Sequence, residues 1–195
     1  MVSAEAAVRP LRCGLAFLCV VVLGACSSQW PRLDQPGAGI AFDLPDSATC
    51  GSRRDDSPAG PVLGRFCAAE LDRAFFDRLF PIRFHVAWAR LPAGFDAADS
   101  AKSEALVREL ALHGLPKGST TSERAADLGG LPAREFDSLL PMNDAWSGNL
   151  TLRERLAIHA GRLYRVGVTG AMGPTSERAW KRLLESFRFT TGERR

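Results

Sequence analysis

LTLRERLAIHAGRLYRVGVTG, residues 150–170, is the stretch on which the fold turns. Its first half places Leu150, Leu152, Leu156 and Ile158 at alternate positions, and its second half does the same with Tyr164, Val166 and Val168. Period-two alternation of this kind marks strands that bury one face. His159, Ala160 and Gly161 stand between them, so the pair reads as a β-hairpin. A two-residue turn at Ala160 and Gly161 would set Leu156 opposite Arg165 and mismatch the two faces. A three-residue loop, with Gly161 in the left-handed position of a bulge, sets Leu156 opposite Tyr164 and Leu152 opposite Val168. The three-residue loop is therefore expected. It turns Glu154 inward near Val166, where a carboxylate needs a partner such as Arg134 or Arg165.

Outward from this hairpin the pattern continues on both sides. Residues 122–128 and 131–140 read as strands joined across Gly129 and Gly130, a pair suited to the positive φ angles of a tight turn. Further back, Asp99 or Ser100 can cap a helix running to about His113, with Leu106, Val107 and Leu110 as its apolar stripe and Gly114 and Pro116 as stop signals. Residues 82–91 alternate with Ile82, Phe84, Val86 and Trp88 on one face and read as a strand. A short first strand is expected at residues 39–45, then a Gly, Pro and Asp-rich loop to about Pro61 and a second strand at 62–68. Residues 70–80 are ambiguous between helix and strand. Downstream, Pro174 opens a helix to Ser186 whose Ala179, Trp180, Leu183, Leu184 and Phe187 should pack on the sheet. The whole is an α+β domain, a mostly antiparallel sheet with packed helices.

The 195 residues carry a formal net charge of +3, too near balance to argue for nucleic acid or for electrostatic membrane binding. The start of the chain is different in kind. Arg9 and Arg12 precede an uncharged apolar run over residues 13–25, the outline of a signal peptide, and the run is short for a transmembrane helix. It ends at Leu23, Gly24, Ala25 and Cys26, which resembles the lipobox of bacterial lipoproteins. That resemblance implies cleavage after residue 25 and a lipid thioether on Cys26. In the family, a serine at the next position, here Ser27, usually directs the protein to the outer membrane. More than one acyl chain makes such an anchor effectively permanent. The domain organisation expected is a leader over 1–25, a tether over 26–39, one domain over 40–189 and a polar tail over 190–195.

Of five cysteines, Cys13 and Cys19 leave with the leader, Cys26 takes the lipid, and Cys50 and Cys67 remain. Two thiols in an oxidising compartment suggest a disulfide, closing a loop worth about 3 kcal/mol. A redox or metal pair is the weaker alternative, because C-x-x-C spacing is absent and no histidine is near in sequence.

The sequence carries no catalytic signature among the common motifs, and no catalytic site is expected. There is no G-x-S-x-G elbow. His85, His113 and His159 fall on a strand, a helix end and a hairpin loop without the spacing of metal ligands. Gly129 and Gly130 lack what a phosphate loop requires. No cofactor and no metal is expected. Trp88, Trp146 and Trp180, with Glu154 near, could line a small apolar pocket, although aromatic residues in a domain this size usually fill its core.

Four groups of residues carry a fold-level resemblance: Phe42, Asp43, Leu44 and Pro45; Gly130, Leu131, Pro132 and Ala133; Gly161, Arg162, Leu163 and Tyr164; and Glu185, Ser186, Phe187, Arg188 and Phe189. With the order of elements, they resemble the fold shared by photosystem II PsbP and the nuclear-transport protein Mog1. The resemblance implies a PsbP/Mog1-like sandwich and a binding or assembly role without a shared catalytic site. The expected function is a non-enzymatic protein-interaction module of the cell envelope, held at the periplasmic face of a membrane, with an envelope protein as partner. The alternative is a lipoprotein that binds a small molecule or lipid in the apolar pocket. A hydrolase is the remotest reading.

Overall fold

The computed structural model describes residues 30–57, 60–71, 81–141 and 150–190. The leader, Cys26, Trp146 and most of the stretch 70–80 lie outside these.

Ten strands and two helices form an α+β sandwich. In chain order the strands are β1 (Arg32–Gln35), β2 (Ile40–Asp43), β3 (Thr49–Ser57), β4 (Gly60–Leu71), β5 (Ile82–Arg90), β6 (Thr120–Leu128), β7 (Leu131–Leu140), β8 (Leu150–His159), β9 (Arg162–Gly170) and β10 (Arg188–Phe189). Helix α1 (Ser100–Leu112) lies between β5 and β6, and α2 (Pro174–Ser186) between β9 and β10. A seven-stranded sheet runs in the order β3-β4-β5-β9-β8-β7-β6, and a three-stranded sheet in the order β1-β2-β10. All pairings are antiparallel.

The large sheet is covered on both faces, and that fact governs the rest. On its first face Phe84, Val86 and Trp88 of β5 and Tyr164, Val166 and Val168 of β9 join Ile40 and Phe42 of the small sheet, Leu44 just after it, and Trp180 and Leu183 of α2 in one core. The Tyr164 hydroxyl, buried with its ring, donates to the Ala38 carbonyl at 2.8 Å. On its second face Phe136 and Leu156 form a smaller core with Val107 and Ala111 of α1. Both helices run as their sequences imply. Asp99 caps α1 by accepting from the Lys102 amide at 3.0 Å, and Pro174 starts α2. The Gly129–Gly130 turn has φ of 60° and 87°, the conformation expected of a two-residue hairpin.

Three expectations need correction. The β8–β9 loop has two residues, not three. Leu156 faces Arg165, Ala157 faces Tyr164 and His159 faces Arg162. Ala160 at φ 48° and Gly161 at φ 70° make the turn. The mismatch of apolar faces that argued against this register does not arise, because Leu156 belongs to the α1 core and Tyr164 to the core on the other face. Second, the expected loop before Pro61 contains β3, an edge strand with little apolar pattern because it pairs only with β4. Third, the expected tether contributes β1 and the buried Trp30, whose ring lies 5.5 Å from that of Phe84. Folded structure therefore reaches back from Ile40 at least to Trp30.

Cys50 and Cys67 stand directly opposite each other on β3 and β4 and form a disulfide over a sequence separation of 17.

Candidate functional site

Three strands bring the most unusual polar group of the described residues together. His85 on β5 and Glu154 on β8 both stand opposite Gly167 on β9, so the three residues form one row across the sheet on its second face. A side chain in the middle position would keep the outer two apart. A Cβ at Gly167 would overlap the Cε1 and Nε2 atoms of His85 and come within 3.1 Å of Glu154 Cγ. With glycine there, His85 Nε2 reaches Glu154 Oε1 at 3.0 Å.

Arg165, next along β9 and opposite Leu156, completes the group. Its Nε donates to Glu154 Oε1 at 2.6 Å and its Nη2 to Oε2 at 2.7 Å, the forked geometry that guanidinium and carboxylate favour. The Glu154 side chain is only 2% exposed, whereas those of His85 and Arg165 are 26% and 29% exposed. Burial alone would push the Glu154 carboxyl up, but the Arg165 guanidinium and the His85 hydrogen bond outweigh it and hold the carboxyl at about 2. A carboxylate so held cannot donate a proton near neutral pH, and both its oxygens are engaged. Among the described residues, Glu154 is the hydrogen-bond partner of the His85 side chain.

Three further ion-pair groups tie β6, β7 and β8 to one another and to the helices. On the first face, buried Glu135 accepts from Arg124 and Arg155, while Arg153 joins Asp137 at 2.8 Å to Glu177 of α2 at 2.9 Å. On the second, Arg108 of α1 grips Glu123 of β6 through bonds of 2.7 and 3.0 Å, which hold that carboxyl below its ordinary range.

The pocket expected at Trp88, Trp180 and Glu154 is not one site. Trp88 stands opposite Tyr164, so it faces the first core with Trp180, and Glu154 lies on the other side of the same sheet. The correction follows from register: one residue of slip exchanges faces. Of the two partners expected for Glu154, Arg165 is the one it has; Arg134 pairs with Glu104 at 2.8 Å. His113 is the C-cap of α1, as its place in the sequence implied, and His159 ends β8 with its ring 5.1 Å from that of Phe189. The parts of the polar group that sequence reasoning missed are His85 and Gly167. The two-residue turn would have supplied the signal, since it sets Glu154 opposite Gly167.

No family model and no curated protein matches the chain. Solved structures do. The cyanobacterial PsbP, CyanoP, of Synechocystis sp. PCC 6803 is similar at 14% identity and a TM-score of 0.49, covering 85% of this chain and 95% of that one. LpqN of Mycobacterium tuberculosis, described as involved in cell envelope biogenesis, is similar at 15% identity and a TM-score of 0.47, over 83% and 85% of the two chains. PA94 of Pseudomonas aeruginosa, a protein of unknown function described as a putative regulator, is similar at 18% identity and a TM-score of 0.45, over 78% and 92%. None of these likenesses transfers a function to this chain.

Proposed function

We propose that this chain is a lipid-anchored periplasmic lipoprotein whose domain acts as a non-enzymatic protein-interaction or assembly module of the cell envelope. The observation that carries the reading is the state of Glu154. The most deeply buried acid of the second face is spent on Arg165 and His85, as a structural clamp would be, and is not poised for proton transfer. The Cys50–Cys67 disulfide supports an oxidising, extracytoplasmic setting. The Leu23, Gly24, Ala25, Cys26 junction supports lipidation, and Ser27 supports the outer membrane.

The test is mass spectrometry of the full chain extracted from membranes in mild detergent, alongside Cys26→Ala. The expected outcome is acyl mass on the wild type alone and, under native conditions, either the bare lipoprotein or a complex with a second envelope protein. A non-covalent small molecule that travels with the folded domain would overturn the interaction reading.

A further inference from the structure

The correction at β1 shortens the link between membrane and fold. With lipid on Cys26, as the lipoprotein reading has it, only Ser27, Ser28 and Gln29 separate the anchor from buried Trp30. Four residue steps span at most about 14 Å. Trp30 is fixed twice over: its ring packs on Phe84, and the Arg182 guanidinium of α2 lies 4.8 Å from its centroid.

Trp30 also has a definite place along the sheet. Phe84 stands opposite Val168, and Val168 opposite Arg153, which reaches Glu177 near the start of α2. Trp30, the first half of α2 and this row thus share one end. Exposed Arg178, one residue beyond Glu177, belongs to it. The other end is the row where Arg90 faces Arg162. Six residues of β9 separate the two rows, about 20 Å.

We propose that the domain sits flush on the phospholipid surface by its Trp30 end, with Arg178 and Lys181 of α2 within reach of the headgroups and the Arg90–Arg162 row turned to the periplasm. This rests on the lipidation of Cys26. A leash of about 14 Å keeps the Trp30 end beside the membrane and leaves the opposite end as the one open to a partner.

The experiment uses the full lipidated chain in vesicles of phosphatidylethanolamine and phosphatidylglycerol, with a fluorophore on Arg178→Cys or on Arg90→Cys and a nitroxide on the lipid headgroup as quencher. Both positions are exposed, so labelling leaves the core intact. The expected result is several-fold stronger quenching at 178 than at 90, and a fall at 178 when a long Gly and Ser insert is placed between Gln29 and Trp30. Equal quenching at the two sites, or stronger quenching at 90, overturns flush seating while leaving lipidation intact. A chain without acyl mass that fails to float with the vesicles overturns both.

Discussion

His85 and Glu154 belong to strands that are not neighbours, yet their side chains meet at 3.0 Å, because the residue lying between them in the sheet is Gly167. The pair is thus a property of three positions.

Gly167→Ala is expected to destabilise the domain by about 1–3 kcal/mol, the range for overfilling a packed site. In a His85→Ala background the same change should cost much less, since the overlapping ring is gone. Urea unfolding of the four proteins in this cycle measures the coupling. Additive costs would mean that the two positions do not compete for space.

Acid should remove what Glu154 contributes. Its folded value of about 2 lies below its ordinary value of 4.5, so the stabilisation is complete above that ordinary value and is lost as pH falls through about 2. The difference amounts to about 3 kcal/mol. Glu154→Gln should therefore be less stable than wild type at neutral pH, with the gap narrowing toward pH 2. Parallel stability curves across that window would contradict the assignment.

The two kinds of ion pair should differ in weight. Glu135, 1% exposed, sits between Arg124 and Arg155, and Glu135→Ala is expected to cost about 1–3 kcal/mol, because two charge-assisted bonds are lost while the exposed Arg124 returns to water. Lys102→Ala, breaking an exposed pair with Asp99 at 3.2 Å, should cost under about 1 kcal/mol. Thermal or urea melts of the two variants compare them directly.

Ala160 is the positive-φ residue other than glycine among those described, at φ 48°. A left-handed alanine carries steric strain that glycine lacks, so Ala160→Gly should stabilise the hairpin by roughly 1 kcal/mol. A rise in melting temperature checks this, and a fall would mean that the lost chain stiffness outweighs the relief.

Trp30→Ala should cost about 3–5 kcal/mol, as for any buried large aromatic. A tether residue would cost nothing. The same melt therefore decides whether residues ahead of Ile40 belong to the folded unit.

How much of this was open to a reader of the sequence depends on which surfaces each residue touches. Helices α1 and α2 and strand β5 are legible because each buries one side more deeply than the other, and the Gly129–Gly130 hairpin because two glycines mark its turn. Strand β3 is an edge, and its sequence, with Arg53, Arg54, Asp55 and Asp56 in the middle, carries no apolar alternation. The β8–β9 register was misread for the opposite reason: both faces of those strands are buried, so alternation stops naming a single inside. The polar row fell with the register, since Glu154, Gly167 and His85 align only when that turn has two residues. Glu135 gave no signal of its own, because its partners Arg124 and Arg155 come from strands on either side.

The order of the large sheet also bears on how the chain reaches its native state. Strands β3, β4 and β5 form one run of neighbours in sequence, and β6, β7, β8 and β9 form another, so each half can assemble from local hairpins. Within the large sheet the β5–β9 seam is the joint that closes a long loop, and such closures govern folding rates. His85 stands on one side of that joint, and Glu154 and Arg165 on the other. This group is thereby the latch between two separately formed halves, and substitutions there should slow docking of the halves far more than formation of either.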